Sequence, residues 1–155
     1  MLHVAALLVA GSATLDDDGA LSATRIPTTC YEIDKVPLSA EVPVVLVVHA
    51  RAGGDYDPQL YIVCKDPAGV KRGGVQAAWH WPDDDNKPSK YRCFTQKIPF
   101  EIESEGEYTI GVYFDAEGMI EMYTPIPVSI SLTTVKAAAT NGGDSAEESL
   151  QFGGI

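Results

Sequence analysis

Basic residues are scarce in this sequence. It has 11 Lys and Arg residues against 22 Asp and Glu residues, which gives a formal net charge of −11 at pH 7. Binding to nucleic acid or to an anionic membrane surface requires a positive footprint that attracts phosphates and displaces counterions. We therefore expect neither nucleic acid nor a membrane as a partner. With 155 residues, 45% of them hydrophobic, the chain has the composition of one globular domain.

Long hydrophobic runs are also absent. The longest spans residues 4–10, far short of the roughly 20 residues that a transmembrane helix needs. A signal peptide would begin with positive charge, but Met1, Leu2 and His3 include no Lys or Arg. We expect this run to be a buried first strand, and the protein to be cytoplasmic when made rather than secreted by a signal peptide.

Cysteine is rare and has no spacing typical of a disulfide framework or a zinc site. Cys30, Cys64 and Cys93 are an odd number without a Cys-x-x-Cys motif. Free thiols are the expectation. A pair between Cys64 and Cys93 is the open alternative, because both lie in strand-like segments.

Signatures of catalysis and of cofactor binding are missing. The sequence has no P-loop, no Gly-x-Gly-x-x-Gly after a strand, no Gly-x-Ser-x-Gly elbow and no His-Glu-x-x-His. Its histidines, His3, His49 and His80, fall in three separate predicted strands. The Asp-rich segments 16–18, 55–57 and 83–86 do not match a calcium-binding loop, so ordinary turns are favoured. We predict no enzymatic activity, cofactor or metal.

Short runs of Val, Ile, Tyr, Phe and Thr with alternating polarity lie between Gly and Pro residues. Such runs are typical of strands, and turns that end in glycine at residues 16–19 and 115–118 predict tight hairpins. We predict an all-β fold, a two-sheet antiparallel sandwich of immunoglobulin-like type. The predicted strands are 2–14, 20–33, 42–51, 58–66, 74–81, 91–102, 106–115 and 119–134.

The composition changes after residue 134, where Ala, Asn, Gly, Asp, Ser and Glu become dominant. We predict a β-sandwich domain over residues 1–134 and a C-terminal arm over residues 135–155 that is flexible or ordered by a partner. Leu150, Phe152 and Ile155 are candidate partner contacts in this arm. An extended chain end can add as a strand to another subunit or to its own sheet, or place apolar anchors in a groove.

Two prolines mark a candidate edge strand. Pro125 and Pro127 lack a backbone N–H group, which confines their part of the last predicted strand to a sheet edge or a bulge. An edge is a place where another chain can pair. We therefore include both prolines among the candidate partner-binding residues.

The Trp79-His80-Trp81 segment is a candidate ligand site. If it is extended, both indoles project from one face and, with Tyr56, could stack on a sugar ring. The favoured alternative is that the indoles pack in the core, because they are a large part of the apolar area of a small domain.

Charge is unevenly distributed along the chain. Residues 87–97 contain four basic residues and no acid, whereas residues 98–121 contain seven acids and no base. Opposite charges can pair across neighbouring strands. The other interpretations are an acidic face for a basic partner and, as the favoured one, a solvated surface.

Two stretches also carry a family resemblance. The first is Ala-Ala-Leu-Leu-Val-Ala at 5–10, the Asp18-Gly19 turn and Arg25-Ile26; the second is Glu-Gly-Glu-Tyr at 105–108, Asp115 and Pro127-Val128. They resemble a family of small uncharacterised immunoglobulin-like β-sandwich proteins of bacteria and phages, over roughly the first 130 residues. The resemblance implies a sandwich without catalytic residues.

These patterns favour a protein that works by binding. We expect a non-enzymatic assembly component, most plausibly a phage-type minor virion or capsid-decoration protein that uses edge strands and the arm, with a protein partner or self-assembly. The alternatives are a carbohydrate-binding module that takes a glycan on Trp79 and Trp81, and a phage regulator that binds one host protein.

Overall fold

The computed structural model describes residues 1–133 and the backbone of residues 152–153, and it confirms the all-β class. The long predicted runs form strands because their apolar residues alternate with polar ones, which gives each strand one buried face. The strands are β1 (His3–Val9), β2 (Ser12–Leu15), β3 (Leu21–Thr24), β4 (Cys30–Ile33), β5 (Leu38–Arg51), β6 (Gln59–Lys65), β7 (Lys71–Ala78), β8 (Ser89–Ile102), β9 (Gly106–Tyr113), β10 (Glu121–Leu132) and β11 (Phe152–Gly153).

Nine of these strands form one large curled sheet. Their order is β1-β5-β8-β7-β6-β9-β10-β4-β11, and β2 and β3 form a separate two-stranded sheet. The two long strands β5 and β8 pair along their whole length, from Leu38 opposite Ile102 to Arg51 opposite Ser89. The link from β8 to β7 is much narrower, because a single residue pair, Gly73 opposite Phe100, joins them.

The core lies inside the curl and is built from the inward faces of the long strands. Val44, Leu46 and Val48 alternate along β5 and are almost completely buried. Ile98 on β8 and Ile110 on β9 meet them in the same cluster. Each such side chain contributes about 1.5–3 kcal/mol through burial, so a sheet of this size is stabilised mainly by these faces.

Two predicted strands are interrupted in the structure. The strand predicted at 2–14 breaks after Val9, because the Ala10 N–H donates to the carbonyl of Pro43 at 2.9 Å and the Gly11 N–H then donates to the carbonyl of Thr24 at 2.9 Å. The chain thereby leaves the large sheet and enters the β2–β3 hairpin. The strand predicted at 20–33 breaks in the same way between β3 and β4, where Arg25 has a positive φ of 55°.

The two predicted hairpin turns are confirmed. Residues 16–19 connect β2 to β3 and residues 115–118 connect β9 to β10. Gly19 has φ 85° and Gly118 has φ 74°, which is the left-handed region that favours glycine. Asp115 closes the second turn, since its carboxylate accepts the N–H groups of Met119 and Ile120.

Pairing of opposite charges between the basic and acidic stretches, one of the open interpretations, is not seen among the described residues. The acidic stretch begins on β8, the strand of the basic stretch, and continues on β9, which lies between β6 and β10 and is not a neighbour of β8. A different strand provides the pairing, because Arg72 on β7 contacts Asp66 at 2.8 Å and Glu103 at 3.2 Å. Proximity in the sequence did not indicate which strands would become neighbours in the curled sheet.

Asp66 is the buried acid of this network and gives the fold a dependence on pH. Burial alone would raise its pKa, but hydrogen bonds from the Val70 N–H, Arg72 Nε and the Ala68 N–H outweigh that effect and lower the pKa below 3.8. A carboxyl with a lowered pKa in the folded state contributes stability above its unfolded pKa. That contribution is lost as the pH falls through the folded pKa.

We expect Asp66→Asn to lower the free energy of unfolding at pH 7 by about 1–2 kcal/mol, the typical effect of losing a charge-assisted hydrogen bond. The difference from the natural chain should shrink as the pH falls from the ordinary carboxyl range through the lowered pKa of Asp66, because the natural side chain is then protonated and as uncharged as asparagine. Urea titrations at a series of pH values measure this difference in the free energy of unfolding. Asp57→Asn is the control, since Asp57 and its partner His80 are both highly exposed. A difference that does not change with pH would contradict the role assigned to the Asp66 charge.

Candidate partner-binding edge

β4 is the strand at which the C-terminal segment meets the rest of the protein. On one side it pairs in parallel with β10, from Ser129 opposite Cys30 to Leu132 opposite Ile33. On its other side it pairs antiparallel with β11, where Phe152 lies opposite Tyr31. Of the arm residues predicted to contact a partner, Phe152 therefore has its backbone on this edge. Leu150 and Ile155 lie outside the described residues.

The adjoining part of β5 has one side without a described strand. Residues 38–42 pair with β8 on one side, whereas β1 covers the other side of β5 only opposite residues 44–49. β1 ends there because the carbonyl of Val9 accepts the Thr28 N–H at 2.8 Å while Ala10 contacts Pro43. The space between residues 30–33 of β4 and residues 38–42 of β5 is called the β4–β5 slot below.

The β4–β5 slot has an apolar floor. A cavity of about 320 Å³ lies between the two strands, and Phe100, Ile102 and Ile130 are among the residues that line it. All three are core residues with at most 4% exposure. An extended segment in the slot would therefore find backbone groups at its sides and a hydrophobic surface beneath it, which is the arrangement that strand addition uses.

A second, larger cleft adjoins the slot. It has a volume of about 830 Å³ and lies between the β2–β3 hairpin and the outer side of β5 and β8, and Tyr31 and Glu41 line both cavities. Burial raises the pKa of Tyr31 to about 12, so its phenol stays protonated at neutral pH. This phenol is consequently a neutral group at the place where the two cavities meet.

The two prolines of β10 lie beside this edge. Pro125 falls in the irregular stretch between Tyr123 and Ile126, where the register of β10 against β9 shifts, and Pro127 lies opposite Thr109. β4 pairs only with the later residues 129–132 of β10. The prolines thus occupy a bulge and the half of β10 beyond its pairing with β4. Both are positions where a missing N–H group costs no ladder hydrogen bond.

The start of β8, opposite the far end of β5, carries a buried cation that the sequence did not single out. Lys90 is 1% exposed, and its ammonium donates to the carbonyls of Gly54 and Trp81 at 2.7 Å each. It also forms an ion pair with Asp83 at 3.1 Å. The Nζ atom lies 4.5 Å from the ring centre of Tyr56 and 5.1 Å from that of Trp81, within cation–π distance.

Asp83 connects this cation to the loop before β6. Its carboxylate accepts the Tyr56 hydroxyl at 2.9 Å and the Gly53 N–H at 3.1 Å. Partial burial acts to raise the pKa of Asp83, but the bonds from Lys90, Tyr56 and Gly53 outweigh it and lower the pKa. All three N–H donors of the Lys90 ammonium are already used, by the carbonyls of Gly54 and Trp81 and by Asp83. The cluster therefore holds two loops together and is not arranged as a reactive centre.

The tryptophans belong to the core side of this cluster, in agreement with the favoured core-packing interpretation and against the alternative of an exposed stacking platform. Trp81 is 4% exposed, and Trp79 is half-buried and packs against the core. Their ring centres lie 5.5 Å apart, and Trp79 also meets Phe94 edge to face at 4.8 Å. β7 ends at Ala78, so the segment is not the end of a strand as predicted. Tyr56 remains exposed, but it is engaged by Asp83.

Histidines and acidic loops do not form a metal site in the described part of the chain. His3 and His49 stack with ring centres 5.3 Å apart because β1 pairs with β5, although the sequence separates them widely. His80 instead contacts Asp57 at 2.9 Å. Across residues 1–133, no group of three or more His, Cys, Asp or Glu side chains is placed to hold an ion. Cys64 and Cys93 are free thiols and do not form the disulfide that was the open alternative.

Comparisons with protein-family models, with curated proteins and with solved structures found no match to this chain. Among the described residues, no helix has the length and apolar character to cross a membrane.

Proposed function

We propose that this chain is a non-enzymatic binding and assembly protein that works by strand addition at the β4 edge. The observation that carries the proposal is the pairing of Phe152 and Gly153 with Tyr31 and Cys30. It places the C-terminal end of the chain on an edge strand although residues 134–151 separate it from β10. An edge that accepts one extended segment has the backbone geometry to accept another.

Among assembly roles, we put forward a phage-type minor virion or capsid-decoration protein, made in the cytoplasm and then incorporated in a particle. The net charge of −11 supports a protein surface as partner rather than nucleic acid. For the fold we propose an immunoglobulin-like sandwich. One layer would be β1, β5 and β8 and the other β7, β6, β9, β10 and β4, and the narrow link at Gly73 supports this division.

The two alternative functions are not equally supported by the structure. A glycan site on Trp79 and Trp81 loses its support because Trp81 is buried. A regulator that captures one host protein would use the same edge. It would be distinguished from an assembly component by a complex of defined small size instead of a particle.

The test uses the full chain in the cells that make it. We expect the natural chain to sediment with particles, and Gly153→Pro to remain in the soluble fraction because proline removes the backbone N–H at the paired position. Gly143→Pro is the matched control, since it places the same residue in the arm away from the β11 pairing, and should sediment like the natural chain. Sucrose-gradient fractions analysed by mass spectrometry give the result. A natural chain that sediments as a free species, or a Gly153→Pro variant that still enters particles, would overturn the proposal.

A further inference from the structure

We propose that the β4–β5 slot takes the C-terminal segment of a second copy, so that residues 150–155 of one chain add to β4 of another. This inference rests on the proposed function and names its partner as the same protein. It uses the observed pairing of β11 with β4 and changes only which copy supplies β11. Exchange of an identical element preserves its contacts and is a low-cost route to association.

The length of the connection permits exchange between copies. The N–H of Thr133 donates to the carbonyl of Ile33 at 2.8 Å, so the chain leaves β10 beside the end of β4. Phe152 then lies opposite Tyr31, only two residues along the same strand. Eighteen residues, 134–151, join these points. A short loop of a few residues would span that separation, whereas eighteen extended residues reach up to about 60 Å.

The slot also matches the sequence of the segment. Leu150 and Phe152 are two residues apart, and alternate residues of a strand share one face. The slot floor presents Phe100, Ile102 and Ile130. A strand placed between β4 and β5 thus brings an apolar face to an apolar floor. It also brings a backbone edge to residues 38–42 on the side away from β8, where no strand partner is present in the described part of the chain.

A native cysteine makes the exchange measurable. Cys30 lies opposite Gly153 in the antiparallel pair and is exposed. A cysteine at position 153 would face Cys30 at the Cα separation of directly opposed residues, about 4.5–5.5 Å, which is within the range for a disulfide. Cys64 is buried, and Cys93→Ser removes the remaining half-buried thiol from every chain used.

The experiment co-expresses two full-length chains. The donor carries Cys30→Ser and Gly153→Cys together with an affinity tag, and the acceptor keeps Cys30 and Gly153. After mild oxidation, a disulfide between tagged and untagged chains can form only across copies. We expect a heterodimer band on a non-reducing gel, at about twice the 16.6 kDa mass of one chain plus the tag, which disappears on reduction. An acceptor with Cys30→Ser is the matched control and should give no such band.

A single chain with Gly153→Cys and native Cys30 separates the failures. If it forms an internal disulfide, seen as loss of both thiols at monomer mass, while the co-expressed pair gives no heterodimer, the exchange is overturned and the strand-accepting edge stands. If neither disulfide forms, β11 does not add to β4, and both the exchange and the proposed function fall.

Discussion

Replacing Lys90 with methionine is expected to lower the free energy of unfolding by about 3 kcal/mol. The substitution keeps a long apolar stem but removes the ammonium that holds Asp83 and the carbonyls of Gly54 and Trp81. Removing one partner of a buried ion pair leaves the other groups without their hydrogen bonds, and such losses cost about 3–5 kcal/mol when both charges are buried. Asp83 is 33% exposed, so water compensates part of the loss.

Lys87→Met is the control for this prediction. Lys87 belongs to the same basic stretch but is exposed, so its substitution should change the free energy of unfolding by no more than about 0.5 kcal/mol. Urea unfolding followed by tryptophan fluorescence is the measurement, because Trp81 lies beside the Lys90 ammonium and reports on this region. Equal effects of the two substitutions would show that the ammonium at position 90 contributes nothing specific.

Gly73→Ala should destabilise the protein by about 3 kcal/mol or more. A Cβ atom at this position would lie 2.0 Å from the carbonyl oxygen of Pro99 and 2.7 Å from the Cα atom of Phe100. Both are backbone atoms that cannot rotate away, so the strands must separate where β7 and β8 meet. Overpacking in a well-packed interior typically costs about 1–3 kcal/mol, and a clash with backbone lies at the upper end.

The comparison for Gly73→Ala is Gly54→Ala. No atom lies within 4 Å of the place where the Cβ at position 54 would be, and its φ is not in the left-handed region. This variant should stay within about 0.5 kcal/mol of the natural chain in urea unfolding. If the two alanines proved equally tolerated, the β7–β8 link would not be the close contact described above.

Local chemistry explains which features could be predicted. The hairpins at residues 16–19 and 115–118 depend on glycine in the left-handed region and on an aspartate that accepts nearby N–H groups, all within a few residues. Both hairpins could therefore be predicted from the sequence. The breaks after Val9 and before β4 depend on distant carbonyls, that of Pro43 for Ala10 and that of Val9 for Thr28, and no short window contains both partners.

The candidate site likewise has one feature that the sequence predicted and others that it did not. The alternation of Leu150 and Phe152 marked the C-terminal segment as a strand that could add to an edge, but nothing local indicated that β4 would be the strand beside it. Lys90 was equally hidden, since it stands in a basic stretch whose favoured interpretation was a solvated surface. Its burial comes from the meeting of two loops, one with Gly54 and one with Trp81, that are far apart in the chain.

The shortage of basic residues and of long apolar runs, the alternating polarity and the glycine-ended turns were sufficient, by themselves, to predict an all-β protein and to argue against nucleic acid. These properties belong to the composition and to windows of a few residues, where backbone preference and side-chain periodicity act directly. The curl of the sheet, the β4–β5 slot and the burial of Lys90 were decided only by the tertiary structure. Each of them depends on which distant strands come to lie side by side, and long-range packing of the whole chain settles that choice.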